Sequence, residues 1–138
     1  AKDWRKLMDF YVDVFDCEPV SSERNHQGEW ADGLTRLENA NIKGQHIRVP
    51  GHGDNGPTIE IFTFDPQLDD LEKLVNRPGF GHIAFEVEDF EGVRKQVKVR
   101  GGSDYGEKQT IDIPGAGRLT LLYMKDPEHN IVELQQWH

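Results

Sequence analysis

The feature that most constrains the fold of this sequence is an internal repeat of its predicted elements. Apolar side chains at helical spacing predict an amphipathic helix over residues 4–16, and the same pattern returns over 90–100. The last predicted strand of each half, at 58–64 and 131–137, carries a glutamate flanked by apolar residues. A chain that repeats a helix and strands in this order is expected to fold as two related modules that combine helices with sheets.

Alternating apolar residues and turn-forming residues predict the other elements. Strands are predicted at 30–37, 42–49, 81–88, 103–113 and 118–125, and a short linking helix at 69–76. The first half has no counterpart of the strand that opens the second half, because its position would fall before Ala1. We expect a single domain with module one at 1–66, a linker at 67–79 and module two at 80–138.

Charge and cysteine content narrow the classes of partner and compartment. The chain of 138 residues has 16 Lys and Arg against 25 Asp and Glu, a formal net charge of −9. This balance argues against a nucleic acid or an anionic membrane as the main partner, and no apolar run is long enough for a transmembrane helix. A lone cysteine, Cys17, cannot form a disulfide within the chain and fits a reducing, cytoplasmic compartment.

Three side chains are unusual for their positions. Glu60 and Glu133 lie in the middle of apolar strands, and His82 lies near the start of another. Because side chains alternate along a strand, each of the three should lie opposite an apolar face that packs under a helix. If the strands belong to one curved sheet, the three side chains would meet. The alternative is that the carboxylates only face solvent and that His82 is a satisfied polar residue.

Imidazole nitrogen and carboxylate oxygen together suit a divalent ion such as Zn, Ni, Co, Mn or Fe(II). His46 lies in a predicted strand and could face the same cavity or solvent. Three other histidines, His26, His52 and His129, occupy polar or turn segments and are expected to be exposed.

Two segments of the second half resemble a known superfamily. They are Gly-His-Ile-Ala-Phe-Glu-Val-Glu-Asp at 81–89 and Lys-Asp-Pro-Glu-His-Asn-Ile-Val-Glu-Leu at 125–134. With the repeat, they resemble the vicinal oxygen chelate superfamily, which includes glyoxalase I, methylmalonyl-CoA epimerase, bleomycin-binding resistance proteins and extradiol dioxygenases. The resemblance implies an α+β fold of two βαβββ modules that form a partly open barrel around one metal ion. The first strand of that fold is missing from the given sequence.

The resemblance also implies a site. It assigns Glu60, His82 and Glu133 as metal ligands, with Glu60 and Glu133 as an acid–base pair. The fourth ligand of the family, a histidine on the first strand, has no position in this sequence, and His129 stands where the family usually has glycine. The side chains expected to line the substrate pocket are Thr58, Phe62, Ala84, Glu86 and Gln135.

The implied function is that of a glyoxalase-like lyase or isomerase. Such an enzyme chelates neighbouring oxygens of a small substrate on one divalent ion and moves a proton through an enediolate. One alternative is a metal-free small-molecule binding protein of the bleomycin-binding type. Another is an epimerase of the methylmalonyl-CoA type, although epimerases usually have glutamine where this chain has Glu60. Members of the family commonly pair modules across a homodimer, so a dimer is expected.

Overall fold

The first amphipathic segment forms helix α1, Trp4–Phe15, in the computed structural model, which describes residues 1–138. The side chain of Asp3 caps the start of this helix by accepting a hydrogen bond from the backbone N–H of Lys6. The apolar side chains that recur along the helix form its buried face; they are Trp4, Leu7, Phe10, Tyr11, Val14 and Phe15.

Helix α1 covers one face of a four-stranded sheet in the first of two compact units, Ala1–Asp70. The strands of this sheet are β1 (Glu18–Pro19), β2 (Arg24–Gln27), β3 (Asn41–Arg48) and β4 (Thr58–Asp65). All pairings are antiparallel and run through β3, which pairs with β1 and β2 along one edge and with β4 along the other. The core under α1 includes Ile47 and Ile61, both buried.

The strand predicted at 30–37 is wrong, because this segment forms helix α2, Glu29–Thr35. Its apolar residues do not share a buried strand face: Trp30 and Leu34 are 55% and 74% exposed. Only Ala31 is buried, in a small cluster with Ala40 and Ile42. The polar segment before this helix forms strand β2, which pairs with β3 in place of the strand predicted at 30–37.

The second unit, Leu71–His138, holds a five-stranded sheet and one helix. Its elements are β5 (Ile83–Glu86), α3 (Phe90–Val99), β6 (Ser103–Asp104), β7 (Gln109–Ile113), β8 (Gly117–Lys125) and β9 (Ile131–Trp137). Strand β9 lies between β5, to which it is parallel, and β8, to which it is antiparallel. Strands β6 and β7 pair with the other edge of β8. Asp89 caps α3 by accepting from the backbone N–H of Gly92.

Three further expectations need correction. The strand predicted at 103–113 is divided into β6 and β7, and no helix forms at 69–76. A short helix needs a packed face to be stable, and Leu71 in this segment is 72% exposed. The apolar face opposite His82 was expected to pack under a helix, but Ile83 on that face lies on an edge strand and is 43% exposed.

The predicted α+β class is confirmed, with three helices and two sheets, neither of which closes into a barrel. The repeat is visible in the pairing. Strand β4 corresponds to β9, but β4 pairs with β3 alone, because the first unit has no strand that corresponds to β5. At this edge of β4 the amino group of Ala1 donates to the carbonyl of Phe62 at 2.6 Å.

The turn that leads into β9 is organised by one buried carboxylate. Asp126 is fully buried and accepts hydrogen bonds from the backbone N–H groups of Glu128 and Asn130 and from the side-chain amide of Asn130. His129 follows with a φ of 64°, the left-handed conformation expected where relatives have glycine. The turn fixes the register between β8 and β9.

We predict that Asp126→Ala lowers the free energy of unfolding by about 2 kcal/mol, because it leaves buried N–H groups without acceptors. Urea denaturation monitored by circular dichroism measures the loss. Glu107→Ala, at an exposed loop position, is the control and should change stability by less than about 0.5 kcal/mol. Equal stability of the two variants would contradict a structural role for the Asp126 turn.

Candidate metal and acid–base site

The second unit brings two of the predicted ligands together. Glu133 lies in the middle of β9 and is only 5% exposed, and its Cα partner on β5 is Ala84. His82 immediately precedes β5, and its Nε2 lies 2.8 Å from Oε2 of Glu133. The parallel pairing of β5 with β9 therefore delivers the imidazole to the buried carboxylate.

The second oxygen of Glu133 is held from its own strand. The side-chain amide of Gln135 donates to Oε1 of Glu133 at 2.9 Å, because residues two apart on a strand share a face. Both carboxylate oxygens are thus engaged, which offsets the cost of burying the charge. Gln135, predicted to line the substrate pocket, contacts Glu133 directly.

Sequence reasoning missed Tyr123, which belongs to the same cluster. In the β8–β9 pairing Tyr123 is the Cα partner of Glu133, and its ring lies 4.8 Å from that of His82 in an edge-to-face arrangement. Burial raises the pKa of Tyr123, and the negative charge of Glu133 raises it further. The short turn between two predicted strands was the available signal, because it places Tyr123 opposite Glu133.

The third predicted ligand lies in the first unit and has a different environment. The side chain of Glu60 is 62% exposed. Its Cα partner on β3 is His46, and Nε2 of His46 lies 3.6 Å from Oε1 of Glu60. His46 therefore faces the same side of the sheet as Glu60, one of the two orientations that the sequence left open.

Phe62 lies beside this pair and links it to further rings. Its ring is 5.8 Å from that of His46 and 6.3 Å from that of His26. His26 in turn contacts Trp30 at 5.1 Å and is half-buried, so its predicted exposure is wrong. Gly44 makes room for Phe62, since a Cβ there would lie 2.4 Å from Cδ1 of the ring.

The remaining predicted pocket residues lie on the same sheet faces as the glutamates. Thr58 shares the exposed face of β4 with Glu60. On β5, Ala84 and Glu86 are exposed, and they lie on the same face of the sheet as Glu133 of the neighbouring strand β9. His52 and His129 are exposed, as predicted.

The donor chemistry of the His82–Glu133 pair fits a divalent ion of the borderline type, which accepts one imidazole nitrogen and carboxylate oxygens. Within either unit taken alone, no three His, Cys, Asp or Glu side chains are grouped so that they could hold a metal ion. The second unit thus supplies two donors by itself. No helix in the structure has the length and apolar character needed to cross a lipid bilayer.

We predict that Glu133→Gln lowers the pKa of Tyr123 towards its ordinary value, because the neighbouring negative charge is removed while burial persists. A pH titration of the Cζ resonances of ¹³C-labelled tyrosines measures the change. Glu86→Gln removes an exposed charge from the same sheet and serves as the control, which should leave Tyr123 unchanged. An identical titration curve in wild type and Glu133→Gln would contradict the electrostatic contact.

Comparisons with protein-family models and with solved structures identify the family of this chain. The model of the Glyoxalase/Bleomycin resistance protein/Dioxygenase superfamily matches residues 1–134. A comparison with curated protein sequences gave no match. Among solved structures, a glyoxalase family protein from Bacillus cereus is similar with a TM-score of 0.82 at 21% identity, over 99% of this chain and 88% of that one.

Two further structures show the same fold at lower similarity. One is a glyoxylase/bleomycin resistance protein/dioxygenase domain from Frankia sp., with a TM-score of 0.63 at 18% identity over 100% and 86% of the two chains. The other is the fosfomycin resistance protein FosX from Listeria monocytogenes, complexed with Mn(II) and sulfate ion, with a TM-score of 0.52 at 15% identity over 100% and 86%. The fold and the match over nearly the whole chain establish that this protein belongs to the glyoxalase/bleomycin resistance protein/dioxygenase superfamily.

Proposed function

We propose that this chain is a glyoxalase-like, metal-dependent lyase or isomerase acting on a small substrate with two neighbouring oxygens. The observation that carries the proposal is the buried carboxylate of Glu133, 2.8 Å from the imidazole of His82. A carboxylate in the middle of an apolar strand is costly unless it is paired, metal-bound or used in chemistry. Packing at this position would be better served by an apolar residue.

His82 and Glu133 are the proposed ligands from the second unit, and Glu60 is the proposed ligand from the first. A divalent ion bound by them would polarise the substrate oxygens as a Lewis acid. The three side chains offer one imidazole nitrogen and two carboxylates, a set that suits Zn, Ni, Co, Mn or Fe(II). Within this set Gln135 orients Glu133 by holding Oε1, so that Oε2 stays on the side of His82.

Glu60 and Glu133 form the proposed acid–base pair, and their surroundings favour different roles. Glu133 is held by two neighbours and is suited to a fixed position. Glu60 is exposed and lies 3.6 Å from His46, too far for a strong hydrogen bond, so it can turn towards a substrate. A mobile carboxylate removes a proton from the substrate carbon, and the same oxygen returns it to the product.

A metal-free binding protein is the second candidate function. It is favoured by the fact that His82, Glu133 and Gln135 already satisfy one another within the second unit. In that case the rings near Glu60, with Phe62 at their centre, would contact the ligand, and no proton transfer would follow. An epimerase of the methylmalonyl-CoA type is the weaker alternative, because such enzymes usually have glutamine where this chain has Glu60.

We predict that the full chain, purified without chelator and titrated with Co(II) or Zn(II), binds one ion per chain. Glu133→Gln and His82→Gln should weaken binding at least tenfold, because each removes a donor atom from the ion. His52→Gln, at an exposed loop position, is the matched histidine control and should bind as wild type does. Isothermal titration calorimetry gives both affinity and stoichiometry.

Absence of binding in the wild type would favour the metal-free binding protein. Binding that is equal in all four proteins would place the ion elsewhere and contradict the proposed ligands. Activity is then tested on α-keto aldehyde adducts of thiols, followed by loss of the adduct absorbance.

We further propose that the protein is a homodimer, as family members commonly are. The segment between the two sheets exposes large apolar side chains, among them Leu68 at 91% and Leu71 at 72%, which a partner would remove from water. Sedimentation velocity at about 20 μM should give a dimer, whereas a monomer at that concentration would contradict the proposal.

A further inference from the structure

A group of aromatic rings gathers in the first unit, on the face of its sheet opposite helix α1. Direct partners in an antiparallel pair share a face, and side chains two residues apart on a strand do so too. The register therefore places Phe62, which lies opposite Gly44, on the same face as His26 and His46. The buried Ile47 lies on the other face, the one that α1 covers.

The rings stand at angles to one another around Phe62. The ring of His46 lies 5.8 Å from Phe62 at 89°, and that of His26 lies 6.3 Å away at 46°. Trp30 meets His26 edge to face at 5.1 Å and 76°. None of these contacts is a parallel stack. Such an arrangement leaves parts of the ring faces free to take a further ring in the edge-to-face or offset geometry that aromatic pairs prefer.

The rings are open to solvent and are held in place. Trp30 is 55% exposed, and Phe62 and His26 are half-buried. The residue next to Trp30 on α2, Ala31, is buried in the cluster against which Phe62 packs. This contact anchors α2 beside the sheet and keeps the indole near His26. An indole has few rotatable bonds, so it loses little freedom when it contacts a ligand.

The polar groups around the rings favour a small molecule over a protein or lipid surface. The imidazoles of His26 and His46 interrupt the apolar surface, and the carboxylate of Glu60 beside it is 62% exposed. A large apolar surface laid across them would remove their hydration without offering partners. One aryl group can cover the rings and leave these polar groups in water. A cationic group would instead neutralise Glu60, the proposed acid–base residue.

The position of Glu60 indicates where such an aryl group is attached. Glu60 and Phe62 lie two residues apart on β4 and share a face, so their Cα atoms are about 7 Å apart along the strand. An aryl group bonded to the carbon from which Glu60 removes a proton would extend over this distance and lie on Phe62.

We propose that Trp30, Phe62 and His26 bind an aryl group of the ligand, which the ligand carries directly beside its two neighbouring oxygens. Binding of the aryl group concerns the first unit alone and holds for an enzyme and for a metal-free binding protein. Its placement beside the oxygens rests on the proposed function. The protein is thus expected to prefer aryl-substituted substrates over their methyl counterparts.

The test compares two neutral probes on the full chain without added metal. The probes, 2-hydroxyacetophenone and hydroxyacetone, share neighbouring carbonyl and hydroxyl oxygens and differ in a phenyl against a methyl group. In ¹H–¹⁵N spectra the phenyl probe should shift the indole N–H resonance of Trp30 and leave that of the buried Trp4 in place. Titration should show the phenyl probe binding about tenfold more tightly or better.

Variants of Trp30 separate an aromatic contact from a merely apolar one. Trp30→Leu should weaken binding of the phenyl probe about fivefold or more, whereas Trp30→Phe keeps a ring and should stay near the wild type. Leu34→Ala, on the same helix and 74% exposed, is the control for α2 and should bind as the wild type does. Circular dichroism shows whether each variant is folded, and the wild-type spectra stand without any variant.

Each result supports or overturns the inference. Equal affinity for the two probes, no binding of the phenyl probe, or full binding by Trp30→Leu would overturn it. A shift of Trp137 in place of Trp30 would put the aryl site in the other unit. A Trp30 resonance that moves when the free protein is diluted would show that a second copy covers the rings. Because no metal is added, these outcomes are independent of the Co(II) and Zn(II) titrations that decide the proposed function.

Discussion

The second unit is organised around a buried carboxylate in its central strand. Glu133 has both oxygens engaged, one near His82 and one by the amide of Gln135, and these contacts make its burial tolerable. The His82 contact requires β5 to run parallel to β9, and the Asp126 turn fixes the register of β8 that places Tyr123 opposite Glu133. The polar cluster and the sheet therefore depend on each other: a slip of one residue would turn Glu133 into the apolar face that α3 covers.

The repeat places the same residue type in two environments, and the neighbouring strands decide its chemistry. Glu133 has strands on both sides and is buried, whereas Glu60 has β3 on one side only and is exposed. A carboxylate without a second strand beside it keeps its hydration and its mobility. In the function proposed above, these two equivalent positions supply one fixed ligand and one mobile acid–base group, and the sequence repeat alone does not distinguish the two roles.

Most of the fold could be predicted from local patterns, because strongly periodic segments form their elements regardless of context. Helix α1, helix α3 and strand β9 lie within a residue or two of their predicted bounds. The error at residues 30–37 arose because Trp30 and Leu34 look like core residues but remain exposed. Their segment is held as a helix by polar contacts, including the carboxylate of Asp32, which accepts from the backbone N–H groups of Asn39 and Ala40. Polar contacts of this kind produce no periodic pattern of apolar residues, so the helix could not be predicted from the sequence.

The candidate site was predictable only in part, because strand alternation gives the face of a side chain but not its neighbour on the next strand. Alternation placed Glu60 and Glu133 on the same faces as their predicted pocket residues. The partners of these carboxylates, Tyr123 and His46, follow from cross-strand register, which depends on turn length and on how the core packs. Residues distant in sequence meet there, and they determine whether a carboxylate is fixed or free. The surroundings of each carboxylate therefore depend on which strands pair and in which register, and the residue pattern of a single strand does not contain that information.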